Sequence, residues 1–138
     1  MSVLVDSDVW SELLCKVKGE LSPQVRVLMT LLDEAEEGVI LIGAVRQEVL
    51  SGWRDRQQFE RVRDLLRDFP DRDVGTAEYE LAAEYFNTCR SRGVQGSNTD
   101  FLICACSVAW SVPVLTRDQD YGRYAEHVPV QVYTLPTA

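Results

Sequence analysis

An α/β fold with parallel strands is predicted by two features of this sequence. Short apolar runs alternate with longer segments whose apolar residues recur at helical spacing, and that alternation gives parallel strands joined by right-handed crossovers. Carboxylates also follow the apolar runs closely: Asp6 after residues 3–5, Glu48 one turn into the helix after residues 39–42, and Asp118 after residues 112–115, while Asp100 opens a helix. In an open α/β sheet the carboxyl ends of the strands share one crevice.

Val3-Leu4-Val5 is short and wholly apolar, as a buried strand is. Ser7 or Asp8 offers an N-cap for a helix reaching about Cys15, broken by Gly19. Ser22-Pro23 opens a second helix, with proline at the first helical position. Val25, Leu28, Met29, Leu32 and Ala35 line its apolar face, and Gly38 ends it. Val39-Ile40-Leu41-Ile42 is the second strand, and the helix after Gly43 carries Val45, Glu48 and Val49 before Gly52 closes it. Residues 55–68 read as an arginine-rich helix with Phe59, Val62, Leu65 and Leu66 inward. Residues 69–74 are a weaker strand candidate that Pro70 confines to an edge. Thr76 is expected to cap a long helix with Leu81, Ala82, Tyr85 and Phe86 inward, ended by Gly93. Ser97, Asn98 or Thr99 can cap the next helix, strongly apolar over residues 101–110. Residues 112–115 form another strand, residues 118–125 a short helix, and residues 128–133 the last strand.

The 138 residues suffice for one domain with its own core, expected to span the whole chain. No apolar run reaches the roughly 20 residues of a membrane-spanning helix. Met1-Ser2-Val3-Leu4-Val5-Asp6 has no basic flank and meets an acid at once, so it reads as a strand rather than an export signal, and a cytoplasmic protein is expected. Cys15, Cys89, Cys104 and Cys106 lack zinc-site spacing and read as reduced thiols that pack as small apolar groups. Net charge is −8, and the basic charge is uneven: Lys16 and Lys18 are the only lysines beside twelve arginines. Six of these, Arg46, Arg54, Arg56, Arg61, Arg63 and Arg67, fall in one stretch. They read as a solvated face paired with Asp55, Glu60, Asp64 and Asp68, although arginine's planar fork also suits phosphate.

Acids gathered in one crevice repel: at an effective dielectric near 20, two charges about 5 Å apart cost roughly 3 kcal/mol. A hard divalent cation with oxygen ligands removes that cost. Asp6, Glu48, Asp100 and Asp118 therefore read as a site for Mg²⁺ or Mn²⁺, and the matching chemistry is phosphodiester hydrolysis, in which such ions activate water, orient phosphate and stabilise the leaving oxygen. Asp8 reads first as a helix cap. Asp120 stands between cap and outer-sphere ligand. Ser7, Thr99 and Thr116 place hydroxyls beside the acids, where they either orient carboxylates or cap the backbone. His127, the single histidine, reads as a surface residue, which leaves serine- and cysteine-nucleophile schemes without an imidazole base. Trp10, Trp53 and Trp110 read as packing anchors.

Four segments carry a family resemblance. Val3-Leu4-Val5-Asp6-Ser7-Asp8-Val9, Val45-Arg46-Gln47-Glu48-Val49-Leu50-Ser51-Gly52, Asn98-Thr99-Asp100-Phe101-Leu102-Ile103-Cys104-Ala105 and Val114-Leu115-Thr116-Arg117-Asp118 resemble, in order, the motifs of PIN domains, most nearly the VapC-type toxins of toxin–antitoxin pairs. The resemblance implies a three-layer α/β/α fold around a five-stranded parallel sheet and a Mg²⁺- or Mn²⁺-dependent endoribonuclease. It places the acid roles on Asp6, Glu48, Asp100 and Asp118, with Asp120 as a possible further acid. It also implies a homodimer and a cognate VapB-like antitoxin that inserts a segment into the acidic groove. One departure is Asp8, where that family commonly has Asn. Two rivals stand beside this reading. Asp6-Ser7-Asp8-Val9 also fits the first motif of haloacid-dehalogenase-like phosphatases, with Asp6 as nucleophile and Asp118 and Asp120 as metal acids, but both lysines fall too early for the lysine that mechanism needs. The other rival is a PIN-like binding module without activity, against which four intact acids argue.

Overall fold

The computed structural model describes residues 2–15 and 19–136. Lys16 and Lys18, on which the phosphatase comparison turned, lie outside the described residues.

Among the described residues three strands form the sheet: β1 (Val3–Val5), β2 (Val39–Ile40) and β3 (Val114–Leu115), in the order β2-β1-β3 and all parallel. Val3 stands opposite Val39, Leu4 opposite both Ile40 and Val114, and Val5 opposite Leu115. β1 is fully buried, as a central strand covered on both faces must be.

Five strands were expected, and this number is corrected to three. The two outer candidates lie alongside the sheet but contribute one parallel bridge each, Leu41 to Asp71 on one margin and Val114 to Val132 on the other. Their prolines explain the short pairing: Pro70 precedes Asp71, Pro129 lies just before the second bridge, and neither has an N–H for a ladder. β2 is likewise shorter than residues 39–42, because Ile42 already serves as the N-cap of the next helix.

Among the described residues seven α-helices connect these pieces: α1 (Ser7–Leu14), α2 (Pro23–Glu34), α3 (Gly43–Ser51), α4 (Arg56–Leu66), α5 (Thr76–Ser91), α6 (Asn98–Trp110) and α7 (Asp120–Tyr124). The chain steps outward from β1 through β2 to the Asp71 segment, then returns across the sheet to β3 and the Val132 segment. Right-handed crossovers put α1 to α4 on one face and α5 to α7 on the other. The packing agrees: α1 meets α2 and α3, α3 meets α4, α5 runs against α6, and Tyr124 of α7 lies 4.8 Å from Phe101 of α6. The direction of progress reverses between β1 and β3, so their carboxyl ends bound the crevice where such sheets bind ligands.

Local chemistry sets the boundaries. Ser22 caps α2 by accepting from the Val25 amide, and Asp55 caps α4 by accepting from Gln58. Thr76 is the first residue of α5 rather than its cap, which is Gly75. Gly93, at φ +76°, turns the chain out of α5 in a conformation that glycine adopts freely. Residues 101–107 of α6 are all buried, so this helix has no solvent face along that stretch. Leu65, expected inward, is 44% exposed, and α4 instead buries Val62 and Leu66.

The arginines divide. Arg56 pairs with Glu60, and Arg63 and Arg67 share Asp64, so much of α4 is a solvated paired face. Arg46 differs: it donates to the Leu66 and Phe69 carbonyls and to Asp71, tying α3 to the end of α4 and the sheet margin. Trp10 is buried edge-on to Phe69, Trp53 lies under Arg61, and Trp110 under Arg72. All four cysteines are free thiols, three of them buried.

Candidate functional site

Asp6 is the last residue before α1 and also its N-cap, a role the sequence had offered to Ser7 or Asp8. Its side chain is almost fully buried at the carboxyl end of the central strand, beside the reversal between β1 and β3. One carboxylate oxygen accepts from the Ser7 amide at 2.7 Å, and the other from the Thr116 hydroxyl, also at 2.7 Å. Thr116 follows β3, so this bond links the two strand ends that flank the switch point.

The other acids attach to the same frame. The Ser7 hydroxyl donates to Glu48, which brings α3 to the start of α1. The Thr116 hydroxyl, while donating to Asp6, accepts from the Asp118 amide at 3.0 Å and so fixes the turn that carries Asp118. Asp118 in turn accepts from the Asp120 amide at 2.9 Å, which starts α7. Asp100, in the first turn of α6, accepts from the Tyr124 hydroxyl at 2.8 Å. Gly96 makes room for that phenol, because a Cβ there would collide with the Tyr124 hydroxyl and crowd Phe101.

Asp6, Glu48 and Asp118 are thus joined through Ser7 and Thr116, and Asp100, held by Tyr124, adds its charge to the surroundings of Asp6. Glu48 is the most exposed of the four and Asp6 the most buried. Asp8 is half-buried and does not cap; its carboxylate accepts from the Arg117 amide at 3.1 Å. Asp120 is exposed and its carboxylate faces Arg123. Thr99 is half-buried and lines a groove of about 400 Å³ between α5 and α6, next to Asp100. On the other flank a cleft of about 520 Å³ runs past Asp8, Glu12 and Arg117. His127 is half-buried rather than fully exposed.

The electrostatics are those of a pocket short of positive charge. Burial pushes the Asp6 carboxyl up to about 7; the negative charges of Asp8 and Asp100 add to this, and the bonds from Thr116 and Ser7 oppose it. Burial likewise raises Asp8 to about 6, and the Arg117 amide and guanidinium pull it back. A proton or a cation in the crevice would offset the cost of these buried charges.

The donor set fits a hard cation. It consists of carboxylates and hydroxyls, with no nitrogen or sulfur ligand among the residues that converge. Among the described residues no group of three or more acidic, histidine or cysteine side chains is arranged to hold a metal ion, and each of the four acids accepts a hydrogen bond from the protein instead.

Two participants escaped the sequence reading. Tyr124 falls within the short helix expected over residues 118–125, and nothing local marks its hydroxyl as a partner of Asp100. Arg117 was noticed only as the residue between Thr116 and Asp118, yet its amide holds Asp8 and its guanidinium meets Glu12 at 3.1 Å.

An open parallel α/β sheet with a carboxylate-lined crevice at its switch point defines the class to which this protein belongs. The PIN domain model matches residues 3–127, and the chain belongs to the PIN domain family. Its fold is shared by the solved structures of FitAcB from Neisseria gonorrhoeae (20% identity, 96% of each chain covered, TM-score 0.72) and VapBC2 from Rickettsia felis bound to a DNA fragment from their promoter (15%, 96% of each, 0.73). VapBC-1 from nontypeable Haemophilus influenzae is similar too (14% identity, 96% of this chain and 97% of that one, TM-score 0.69). Comparison with curated proteins found no match. No helix among the described residues is long and apolar enough to cross a membrane.

Proposed function

We propose that this chain is a metal-dependent endoribonuclease, the toxin of a toxin–antitoxin pair, using Mg²⁺ or Mn²⁺ held by Asp6, Glu48, Asp100 and Asp118. The observation that carries the reading is the hydrogen bonding of Asp6, Glu48 and Asp118, distant in sequence, through Ser7 and Thr116 at the switch point, with Asp100 held by Tyr124 at the start of α6. Family membership supports it, and it sets the phosphatase reading aside.

When bound, the cation supplies the Lewis acidity that lets water attack a phosphodiester and offsets charge on the phosphate. The chain's own residues supply position. Thr116 and the Ser7 amide hold both oxygens of Asp6 in one orientation, the Ser7 hydroxyl holds Glu48, and Tyr124 holds Asp100. Preorganised ligands avoid reorganisation during the reaction. Thr99 and the groove between α5 and α6 lie where a strand leaving the acids would run.

A VapB-like antitoxin and a homodimer complete the proposal. Solved neighbours are VapBC assemblies, and the cleft lined by Asp8 and Glu12 favours a cationic segment. The test is cleavage of a defined RNA with Mn²⁺ and with EDTA. Wild type should cut only with Mn²⁺, and Asp6→Asn or Asp100→Asn should lose at least about two orders of magnitude in rate while remaining folded. Equal cleavage by either variant sinks the role assigned to that acid.

A further inference from the structure

Asp8 and Glu12 stand one turn apart on α1, where side chains four residues apart are neighbours, and both hold Arg117. Asp8 accepts from the Arg117 amide at 3.1 Å, and Glu12 meets the Arg117 guanidinium at 3.1 Å. Glu12 is itself tied at both oxygens: Oε2 accepts from the Ser22 amide at 2.8 Å and Oε1 from the Ser22 hydroxyl at 2.6 Å. Ser22 caps α2, so α1, the start of α2 and the turn after β3 meet at one carboxylate. An exposed ion pair contributes little, because two long side chains must be ordered to form it. Here Ser22 has already ordered the carboxylate.

The same turn is pinned on its other side. Thr116 donates to Asp6 at 2.7 Å and accepts from the Asp118 amide at 3.0 Å. Asp6 caps the helix that carries Asp8 and Glu12. The residues from Thr116 to Asp118 are thus fastened to α1 and its cap at three points, at Asp6, Asp8 and Glu12.

We propose that the Glu12–Arg117 pair is a clasp that sets Asp118 against Asp6, which makes Glu12 and Arg117 positioning residues of the anionic crevice. The consequence for cation affinity rests on the function proposed above, whereas the hold on the turn does not.

Two variants of the full chain test this. Glu12→Gln keeps the side chain's shape and an acceptor for Ser22 but loses the charge that holds the guanidinium. Arg117→Met removes the guanidinium and keeps the amide that reaches Asp8. Hydrogen exchange of the Asp118 amide is read by NMR in EDTA, against Ile103 in the buried stretch of α6, whose amide reports global opening. In both variants the Asp118 amide should exchange about tenfold faster relative to Ile103, the factor that one charge-assisted hydrogen bond supplies. Mn²⁺ affinity by calorimetry should fall about tenfold, the scale on which groups behind metal ligands act. Arg117→Lys, which keeps the charge, should recover some of both losses. An Asp118 amide that speeds up no more than Ile103 overturns the proposal, since a pair serving global stability alone would move both together. So does unchanged Mn²⁺ affinity in variants whose parent binds the ion. A wild type that binds no Mn²⁺ refutes the metal reading instead, and exchange at Asp118 then decides the clasp by itself. If one variant does not fold, the other carries the decision.

Discussion

Asp6 carries two demands that conflict. It caps α1 and accepts from Thr116, and both bonds favour the carboxylate; burial and the charges of Asp8 and Asp100 favour the acid and prevail. Its carboxyl therefore rises from 3.8 to about 7 on folding. Between those values the folded chain holds more protons than the unfolded chain, so cation-free stability falls as pH climbs through that window. Below it both states are protonated and the cost vanishes; above it the cost is complete, on the order of 4 kcal/mol for this one group. Asp8, raised to about 6, acts in the same direction. In Glu12 burial is outweighed by hydrogen bonds from Ser22 and by Arg117, so its carboxyl is lowered and its stabilising effect is lost only below its ordinary range. Urea unfolding in EDTA at pH 4.5 and pH 7.5 should show the higher stability at the lower pH, and Asp6→Asn should remove most of the difference. A stability that rises with pH would contradict the burial argument. At this scale the acids were legible in the sequence, because each follows an apolar run or opens a helix. Of their donors, Ser7 and Thr116 stand beside the acids in sequence and were offered, while the distant ones were not: Tyr124 reaches Asp100 across 24 residues, and Arg117 reaches Asp8 across 109.

At the scale of elements, the helix ends were easier to read than the sheet. Ser22 with Pro23, Ser97, and Gly93 do the capping and turning their chemistry predicts. The strand count failed because hydrophobicity marks where a segment lies, while prolines decide how many rungs it can form; residues 69–74 and 128–133 are in place yet each bridges once. The approach of α7 to α6 depends on Gly96. Gly96→Ala forces a methyl group against Tyr124 and Phe101, so it should cost about 1–3 kcal/mol and loosen Asp100 together with the fold. Tyr124→Phe should release Asp100 with a smaller loss of stability. Thermal unfolding of the two variants, with Mn²⁺-dependent cleavage by each, checks this. A Gly96→Ala protein as stable as wild type would show that the loop yields without cost.

For the whole molecule, a net charge of −8 and a carboxylate crevice repel any polyanion, and a cation in the crevice would reduce that repulsion. If the proposed chemistry acts in cells, expression of the wild-type chain alone should slow growth and the Asp6→Asn chain should not, as growth curves from matched expression would show. Equal arrest by both would separate toxicity from cleavage.

The prolines at the sheet margins have a further bearing on any partner. A peptide that docks by strand addition needs a row of free amides and carbonyls to copy. Here each border ends in a segment that holds a single rung and has a proline close by, Pro70 on one side and Pro129 on the other, which makes a poor template. Strand addition at either border is therefore disfavoured, and a binding partner is expected to grip helices or the anionic cleft instead.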